Sequence, residues 1–483
     1  MKKLKFICAA FFAMAATVSA TAGGLLTNTN QNAAFLRNPA RDAAIAIDGV
    51  YSNPAGTAFL PQGLHLSLSW QLAAQTRQMK ATNPLFALNT NNQTPTRAFE
   101  GEAFAPVIPS FQAAYVINDK WSVSAQFAVG GGGGKCEFDN GLPMFEELVG
   151  GAAYQLSGVP TPYTLNQNLI GEQYFYGIQL GGTYKLTDNL SVFAGARGVI
   201  ANCGYEGAIS GIKVNNMGSA DYSALSQQAA GAAQQYAAAA QQYAAAGLAT
   251  EAAQAAAAAD QYAAAAVQAG TAAALTQDYL LDCSQSGFGI TPIIGVDWKL
   301  GKLNLAAKYE FRTKINLENE SKNSANVDAM MPAYADGAKV RSDIPAILTL
   351  GAMYQITDNV RAMGGFHYYW DKDAKGTPIK KGDNTWEANL GLEWDVNDKV
   401  LLSLGGQRTQ YGFDDTDMQD TNFNISSSAI CVGGAYKFTE KIKLNVGYMH
   451  SFYDTHKFTN ANGTACSYTR KNDAVGVSLD IAF

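Results

Sequence analysis

Apolar and polar residues alternate along most of the chain from residue 64 to its carboxyl end. In the last stretch, apolar residues at 475, 477, 479, 481 and 483 alternate with small or polar ones. A period of two is that of a β-strand with one face towards an apolar medium. The pattern predicts fourteen strands, near residues 64–72, 110–117, 121–129, 174–186, 190–208, 287–300, 303–317, 345–356, 360–371, 384–396, 400–412, 424–438, 442–458 and 468–483.

Six short turns connect these predicted strands, and an aromatic residue precedes each turn. The aromatic residues are Tyr115, Tyr184, Trp298, Tyr354, Trp394 and Tyr436. Asp/Asn/Gly turns between alternating stretches are tight hairpins, and aromatic residues repeated at one end of the strands are typical of a membrane-interface girdle. If both chain ends lie on the side of the short turns, a barrel of n strands has n/2 − 1 connections on that side. Six short turns therefore correspond to fourteen strands. We expect an all-β, 14-stranded antiparallel transmembrane β-barrel over residues 64–483, and the alternative is a large soluble all-β protein.

Composition agrees with a wall that faces lipid. Charged residues make up 15% of the chain, against about 25% in ordinary soluble domains. The formal net charge of −6 gives no support for a nucleic-acid partner. No internal apolar run reaches the ~18 residues of a helical membrane span.

The first residues predict export from the cytoplasm. Lys2, Lys3 and Lys5 precede an apolar core at 6–16, and small residues follow up to Ala22. This is the pattern of a secretory signal peptide over residues 1–22, cleaved after Ala20 or Ala22. Together with the barrel, it predicts a protein of the bacterial outer membrane.

Five cysteines remain after that segment: Cys136, Cys203, Cys283, Cys431 and Cys466. The odd number leaves at least one thiol unpaired, and without a CxxC spacing we expect no metal site. One or two loop disulfides are compatible with the sequence, with Cys203 and Cys283 bracketing a long loop.

Residues 23–63 precede the first strand and contain two Asn-Pro steps, Asn38-Pro39 and Asn53-Pro54. Such steps favour turns over strands. The stretch also carries apolar residues at 43–50, a composition that does not suit disorder. We therefore expect a hatch that plugs the lumen, and the alternative is a free tail.

The longest predicted loop, 209–286, contains an Ala/Gln tract with glutamines seven residues apart. Alanine is the best helix former, and Gly247 interrupts the register. We expect two antiparallel helices packed through alanine faces, with a single long helix as the alternative. The tract could also be only a spacer.

Charged residues fall on the face of the strands opposite the apolar one, so they should line the lumen. This phase places Arg197, Lys308 and Arg312 inward, and they are the candidate ligand-binding cations for a carboxylate. The alternative is that inward charges pair with one another. The other inward residues by this phase include Asp297, Glu310, Arg361, His367, Glu387, Glu393 and Lys443.

A run of five glycines ends the third predicted strand: Gly130, Gly131, Gly132, Gly133 and Gly134. The setting is a strand and no Lys-Ser/Thr follows, so the run is not a phosphate-binding loop. Glycine inside a strand marks a bulge, a bend or a close backbone approach. In a barrel it could open a hole in the wall, or it could simply begin a flexible loop.

No catalytic motif is present: Gly-x-Ser-x-Gly is absent, and spacing assigns no partner to any of the four histidines. We expect neither enzyme activity nor a cofactor.

The segment 40–56, with Asn53-Pro54-Ala55-Gly56 before fourteen strands, resembles the hatch of the FadL/TodX outer-membrane transport family. The resemblance implies uptake of hydrophobic small molecules, such as long-chain fatty acids or aromatic hydrocarbons. It also implies that Asn53, Pro54, Ala55 and Gly56 belong to the hatch, and that a lateral opening to the membrane lipids lies at the third-strand glycines. The long Ala/Gln tract departs from the family pattern. We expect a monomer that takes up such a ligand; a general porin and a structural or adhesive surface protein are the alternatives.

Overall fold

Fourteen antiparallel strands close into a barrel in the computed structural model, which describes residues 26–376, 379 and 381–483. The predicted signal peptide lies outside the described residues. Three strands are each interrupted once, which divides the sheet into seventeen hydrogen-bonded segments. The strands are β1 Gly63–Thr82, β2 Thr96–Val116, β3 Trp121–Phe138, β4 Tyr163–Thr187, β5 Leu190–Val214, β6 Tyr279–Leu300, β7 Leu303–Glu310 with Asn316–Ser321, β8 Lys339–Arg341 with Ile347–Gln355, β9 Val360–Tyr369, β10 Asp383–Asp395, β11 Val400–Gly412, β12 Ser427–Thr439, β13 Ile442–Tyr453 with His456–Thr459, and β14 Ala465–Ala482.

The first and last strands close the barrel. Strand β1 pairs with β14 without a break in register from His65↔Ala482 to Thr82↔Ala465, and on its other side it pairs with β2. Closure leaves neither the first nor the last strand as a free sheet edge, and a closed barrel is the form of sheet that can span a membrane. The predicted fold and strand number are confirmed.

The outside of the barrel is apolar around its middle. Leu180 and Leu390 are 61% and 72% exposed, and many other outward positions are Leu, Ile, Val or Phe. Five of the six aromatic residues before the short turns are also exposed, whereas Tyr184 packs against Trp121 with 4.6 Å between ring centroids and the rings tilted by 49°. We call the two ends of the barrel the short-turn end and the long-loop end.

Several strands run further towards the long-loop end than the alternation predicts. Strand β2 begins at Thr96 instead of 110, β4 begins at Tyr163 instead of 174, and β3 continues through the glycines to Phe138. The connection predicted at 209–286 is shortened to 215–278 because β4 and β5 stay paired as far as Tyr163↔Val214. The lipid-facing alternation ends in these extensions because outward positions such as Glu100 and Glu102 are charged and exposed, but backbone pairing continues.

Helices occupy the hatch and the loops. They are α1 Ala33–Arg37, α2 Gly49–Ser52, α3 Pro143–Ser157, α4 Ser219–Ala245, α5 Ala249–Leu275 and α6 Ala325–Met330, with 3₁₀ turns at Pro54–Phe59, Pro84–Leu88, Pro332–Tyr334, Asp371–Asp373 and Asp415–Asp417. No helix within the described residues is long and apolar enough to cross a membrane.

Helices α4 and α5 form the antiparallel hairpin expected for the Ala/Gln tract. The Ser219 and Ser226 hydroxyls donate to the carbonyls of Ala273 and Ala266, at 2.9 and 2.8 Å. Gly247 turns the chain between them with φ +75°, a conformation that glycine adopts without strain.

The largest buried cluster fills the lumen towards the long-loop end. We call it the outer apolar cluster; its most deeply buried members include Met79, Phe86, Phe99, Phe138, Phe175, Phe423 and Tyr468. Four of the five cysteines after the signal segment, Cys136, Cys203, Cys283 and Cys466, belong to this cluster, and all five are buried free thiols among the described residues. The disulfides that the sequence allowed, including Cys203 with Cys283, are therefore not formed.

Candidate functional site

The segment before β1 lies inside the barrel as a hatch. The side-chain amide of Asn32 donates to Ser67 Oγ at 3.1 Å and to Gln112 Oε1 at 2.9 Å. The backbone N–H of Ala33 donates to Ser69 Oγ at 2.9 Å. Nearly every described hatch residue up to Ala58 is buried. The predicted plug is confirmed, and a free tail is excluded.

The four residues of the hatch motif meet the wall directly. Asn53 donates to the Asp297 carboxylate, while the Pro54 and Ala55 carbonyls accept from Thr183 and Ser191 at 2.9 and 2.7 Å. The Asn53 side chain also accepts from the Gly56 amide at 3.3 Å. A Cβ on Gly56 would lie 2.5 Å from Asn53 Nδ2, which explains the glycine.

A buried ion-pair network anchors the middle of the hatch. Arg37 and Arg41 of the hatch contact Glu393 on β10 at 2.5 and 2.8 Å, and Arg361 of the wall reaches the same carboxylate at 2.7 Å. Arg41 also pairs with Asp48 at 2.7 Å, and this interaction lowers the pKa of the Asp48 carboxyl despite its burial. Buried pairs of this kind fix position strongly, because a lost partner leaves an uncompensated charge.

The predicted cations Arg197 and Lys308 lie together at the hatch. Both contact Glu310, at 2.6 and 2.8 Å, and both lie over the ring of Tyr51. Lys308 also donates to the Tyr51 carbonyl at 2.7 Å. In this conformation they hold α2 against the wall, and their role in ligand binding stays a prediction.

Arg312 does not join them, which corrects the predicted phase of β7. The strand breaks after Glu310, and beyond the break Thr313 and Ile315 are buried instead of Arg312 and Lys314. Arg312 is 32% exposed and lies 3.7 Å from the Asp343 carboxylate. The break reverses which residues face inward. The prediction for Arg312 was therefore wrong, because it assumed one unbroken strand over residues 303–317.

His367 has two carboxylate partners that spacing along the chain could not reveal. Its Nε2 lies 3.0 Å from Asp42 of the hatch, and its Nδ1 lies 2.9 Å from Glu387 on β10. The partners come from elements far apart in sequence, so only the folded barrel brings them together. The arrangement is a further anchor between hatch and wall.

The glycine run interrupts the wall on both sides of β3. Pairing with β2 stops between Glu102↔Glu137 and Ser110↔Ala128, and pairing with β4 changes register between residues 129 and 134. Gly132 and Gly134 have φ of +84° and +70°, so most other residues would be strained there. A bulge, one of the features expected of a glycine run within a strand, is present.

The other side of the interruption carries prolines that the sequence reasoning missed. Pro106 and Pro109 lie on β2 within the unpaired stretch. Proline has no backbone N–H to donate to a neighbouring strand and is confined to edges and bulges. Two prolines opposite a glycine run were a signal for a gap between β2 and β3.

The start of the hatch pairs with the glycine run from inside. The Asn28 amide donates to the Gly130 carbonyl at 3.0 Å, and the Gly132 amide donates to the Leu26 carbonyl at 3.3 Å. A Cβ on Gly131 would lie 2.0 Å from the Leu26 oxygen. The glycines therefore permit both the bulge and the close approach of the hatch.

A pocket of about 150 Å³ occupies the interruption. Its lining includes Asn28 of the hatch, Ala105 on β2 and Gly132 on β3. It also includes Phe104 and Val107, each 61% exposed on the outside of the barrel. The pocket thus lies between the hatch and the apolar outer surface.

The long-loop end is closed by loops that meet over the outer apolar cluster. Asp420, in the connection between β11 and β12, accepts from the Met144 amide of α3 at 2.6 Å and from the Tyr468 hydroxyl. Burial raises the pKa of the Asp420 carboxyl to about 7.

No family model and no curated protein sequence matches the chain. Solved structures do match. A FadL homologue from Pseudomonas aeruginosa has a TM-score of 0.64 and 13% identity, covering 95% of this chain and all of the other. The toluene transporter TodX of Pseudomonas putida has a TM-score of 0.54 and 15% identity, covering 97% of this chain and all of its own. The toluene transporter TbuX of Ralstonia pickettii has a TM-score of 0.52 and 12% identity, covering 94% and 99%. The chain has the fold of the FadL and TodX transport proteins, and the resemblance suggested by its hatch segment is confirmed at the level of the fold.

Proposed function

We propose that this protein carries out passive uptake of hydrophobic small molecules across a bacterial outer membrane, with long-chain fatty acids as the expected ligand. The main support is the interruption between β2 and β3, where a pocket lies between the hatch and the apolar outer surface. Solved proteins of the same fold include toluene transporters by name. A belt of exposed Leu, Ile, Val and Phe suits a wall embedded in lipid.

The proposed path begins at the long-loop end. An apolar ligand that leaves water gains about 25 cal/mol for each Å² buried, and the outer apolar cluster offers such surroundings. The ligand then displaces the hatch residues that pair with the glycine run, Leu26 to Asn28. It leaves sideways through the interruption into the lipid. Transfer from water to lipid is favourable overall for an apolar molecule, so no energy source is required.

A filled lumen separates this proposal from a general porin. A porin needs a continuous water-filled bore, whereas here the hatch and the outer apolar cluster occupy the lumen in series. The lateral route avoids the short-turn end, where the hatch is anchored to the wall by Asn53 and its neighbours.

The lateral route is tested by filling the pocket. The change Ala105→Trp places a large ring in the pocket lining that Ala105 shares with Gly132. An indole is much larger than a methyl group and would fill much of the cavity. We therefore expect uptake of a labelled fatty acid by cells to fall by about tenfold or more. The measurement is the initial rate of uptake at matched amounts of folded protein in the outer membrane.

Ala113→Trp is the matched control. Ala113 lies on the same strand, in the paired segment opposite Ala125, and outside the pocket lining. We expect this variant to keep normal uptake. Equal uptake by both tryptophan variants and the unaltered protein would contradict a lateral exit at this interruption.

A further inference from the structure

Aromatic side chains gather on the outside of β7 to β9, near the long-loop end. Tyr309 on β7 and Tyr368 on β9 each lie between two buried neighbours, and both are register partners of Leu348 on β8. Tyr309 packs edge-on against Phe311 and Trp370, with 4.8 and 5.6 Å between ring centroids. Trp370 also packs edge-on against Tyr368, at 5.0 Å. Aromatic girdles lie where the hydrocarbon core of a membrane meets its head groups, so the wall beyond these rings is at the level of the head groups.

Cationic side chains follow directly beyond the rings. Arg312 is three residues past Tyr309, at most about 10 Å along the wall at ~3.3 Å per strand residue. We call this surface the outer cationic patch; its members are Arg312, Lys314, Arg341, Lys372 and Lys375. Three acids lie within two residues of these cations in the chain, and two of them, Asp343 and Asp371, are 0% exposed. The exposed charge of these segments is therefore mainly positive, although the whole chain has a formal net charge of −6.

Asp343 draws three parts of the chain together beneath the patch. Its carboxylate lies 2.5 Å from Arg341 Nε and 3.7 Å from Arg312 Nε, and it accepts from the Lys375 backbone N–H at 3.3 Å. Besides Asp343, each arginine contacts one further oxygen among the described residues. A guanidinium group has five N–H donors, and the two side chains are 30% and 32% exposed. Both arginines therefore have donors left for an acceptor at the surface.

The opposite wall of the barrel carries exposed acids. Strand β2 lies seven strands from β9 around the ring of fourteen, and near the long-loop end it carries Glu100 and Glu102, both exposed. Glu102 borders the interruption between β2 and β3. An anionic lipid would thus be attracted to the outside of β7 to β9 and repelled beside the interruption.

We propose that the outer cationic patch binds the phosphate head group of an anionic lipid in the leaflet on the long-loop side, with the acyl chains of that lipid against the aromatic residues of β7 to β9. The planar forks of Arg312 and Arg341 match phosphate oxygens. The ammonium groups of Lys314, Lys372 and Lys375 add positive charge beside them. The wall thus presents an apolar and then a cationic surface, in the order of the chains and the head group of a lipid. Such a site depends on a barrel in a membrane and is independent of the molecule taken up.

The test compares lipids that differ in the head group. The purified full chain in detergent is incubated with equal amounts of dioleoyl phosphatidic acid, a phosphomonoester, and dioleoyl phosphatidylcholine, and bound lipid is counted by native mass spectrometry. We expect phosphatidic acid to bind about tenfold or more tightly, because several cations face its phosphate. In the variant Lys314→Gln/Lys372→Gln/Lys375→Gln this preference should fall by at least about fivefold, because each cation near the membrane surface adds to the attraction of an anionic head group. Asp343 keeps both of its arginines in this variant.

The matched control is the variant Lys80→Gln/Lys213→Gln/Lys457→Gln. These three lysines are also exposed and lie at the long-loop end of other strands, so the variant loses the same charge elsewhere. It should keep the preference for phosphatidic acid. An equal loss in both triple variants would overturn the patch as the site, and so would equal binding of the two lipids by the unaltered protein. Heat-modifiable gel mobility reports whether each barrel is folded.

A second measurement on the unaltered protein keeps the proposal testable if the variants fail to fold. Exposed lysines are acetylated with a water-soluble reagent, and each position is read by peptide mass spectrometry. Phosphatidic acid should slow acetylation of Lys314 and Lys375 by about fivefold or more, whereas phosphatidylcholine should not. Lys80 should react equally in every sample. Unchanged acetylation of Lys314 and Lys375, or equal protection of Lys80, would contradict a lipid site at the patch. Equal protection by inorganic phosphate alone would show a site for free anions and would also overturn it.

Discussion

Glu393 shows how single residues decide where the hatch sits. Its carboxylate accepts from Arg37 and Arg41 of the hatch and from Arg361 of the wall, and it is almost fully buried. Because all three arginines share this one carboxylate, its loss would weaken three ion pairs at once. Any movement of the hatch away from β10 must separate these charges in a medium of low dielectric.

Glu393→Gln should therefore loosen the hatch while leaving the barrel closed. Breaking a buried pair from one side costs about 3–5 kcal/mol, and Arg37 and Arg41 would lose their shared anion. We expect hydrogen exchange of the amides at 33–41 to accelerate by at least about tenfold, while exchange in β1 and β14 stays slow.

The matched control for that substitution is Glu318→Gln. Glu318 pairs with Lys339 at 3.2 Å, and both side chains are more than half exposed, so the change should cost at most about 1 kcal/mol. Unaltered exchange at 33–41 in the Glu393 variant would show that the ion pairs do not hold the hatch.

Residue-level prediction from the sequence succeeded where a strand is regular. Alternation correctly placed Lys308 and Glu393 inward, since each lies within an unbroken ladder. It failed for Arg312 because the break after Glu310 reverses the phase. The partners of His367 were out of reach for a different reason: one of them, Asp42, is brought by the hatch, and hatch contacts have no period in the sequence.

At the scale of elements, the loop between β11 and β12 and the helix α3 form one cap over the lumen. Asp420 joins them through the Met144 amide and the Tyr468 hydroxyl. Its carboxyl has a pKa of about 7 in the folded protein, above the ordinary 3.8, because burial disfavours the charged form. The folded state thus binds a proton that the open state releases between those two values.

The sign of the pH dependence follows from that difference. Stability of the cap is greatest below pH 3.8, falls as the pH rises towards about 7 and is constant above it. We expect the protection of the Met144 amide against hydrogen exchange, corrected for intrinsic rates, to be lower at pH 8 than at pH 5.5.

Two comparisons identify Asp420 as the cause. In Asp420→Asn the dependence of Met144 protection on pH should disappear, because the neutral amide does not titrate. The Gly158 amide, which donates to Tyr154 at 2.8 Å at the other end of α3, should behave alike at both pH values. A pH dependence that persists in the Asn variant would assign it to another group.

Elements differ in how far the sequence predicts them. The α4–α5 hairpin was predictable from helix propensity and from Gly247, because both are local. The gap between β2 and β3 was only half predicted: the glycines of β3 indicated it, whereas Pro106 and Pro109 on β2 were overlooked. The extra length of β2 and β4 was missed because the apolar residues there, such as Phe99 and Tyr163, face the lumen instead of the lipid.

The whole molecule combines two closures in series. The hatch fills the lumen towards the short-turn end through polar contacts, whereas the outer apolar cluster fills it towards the long-loop end through packing. The count of strands and the position of the hatch were predictable, because periodicity and chain order determine them. The second closure was not, because its members come from many loops and strand ends that meet only in the folded barrel.

Because the hatch and the outer apolar cluster both block the lumen, removal of the hatch alone should not open a full ion conductance. The barrel should survive removal of residues 26–60, because β1 and β14 pair along their whole length without the hatch, and charges such as Glu393 would then face water. We expect the intact protein to show no steady current in planar bilayers, and the hatch deletion to show only brief openings, since the outer apolar cluster still excludes ions.

Removing α3, Pro143–Ser157, together with the hatch should give a steady current, because Phe145 and Leu148 leave the cluster. Removal of the exposed hairpin 219–275 is the control and should leave the current of each protein unchanged. Steady current from the intact protein would favour a general porin, and full current from the hatch deletion alone would show that the loops do not seal the lumen.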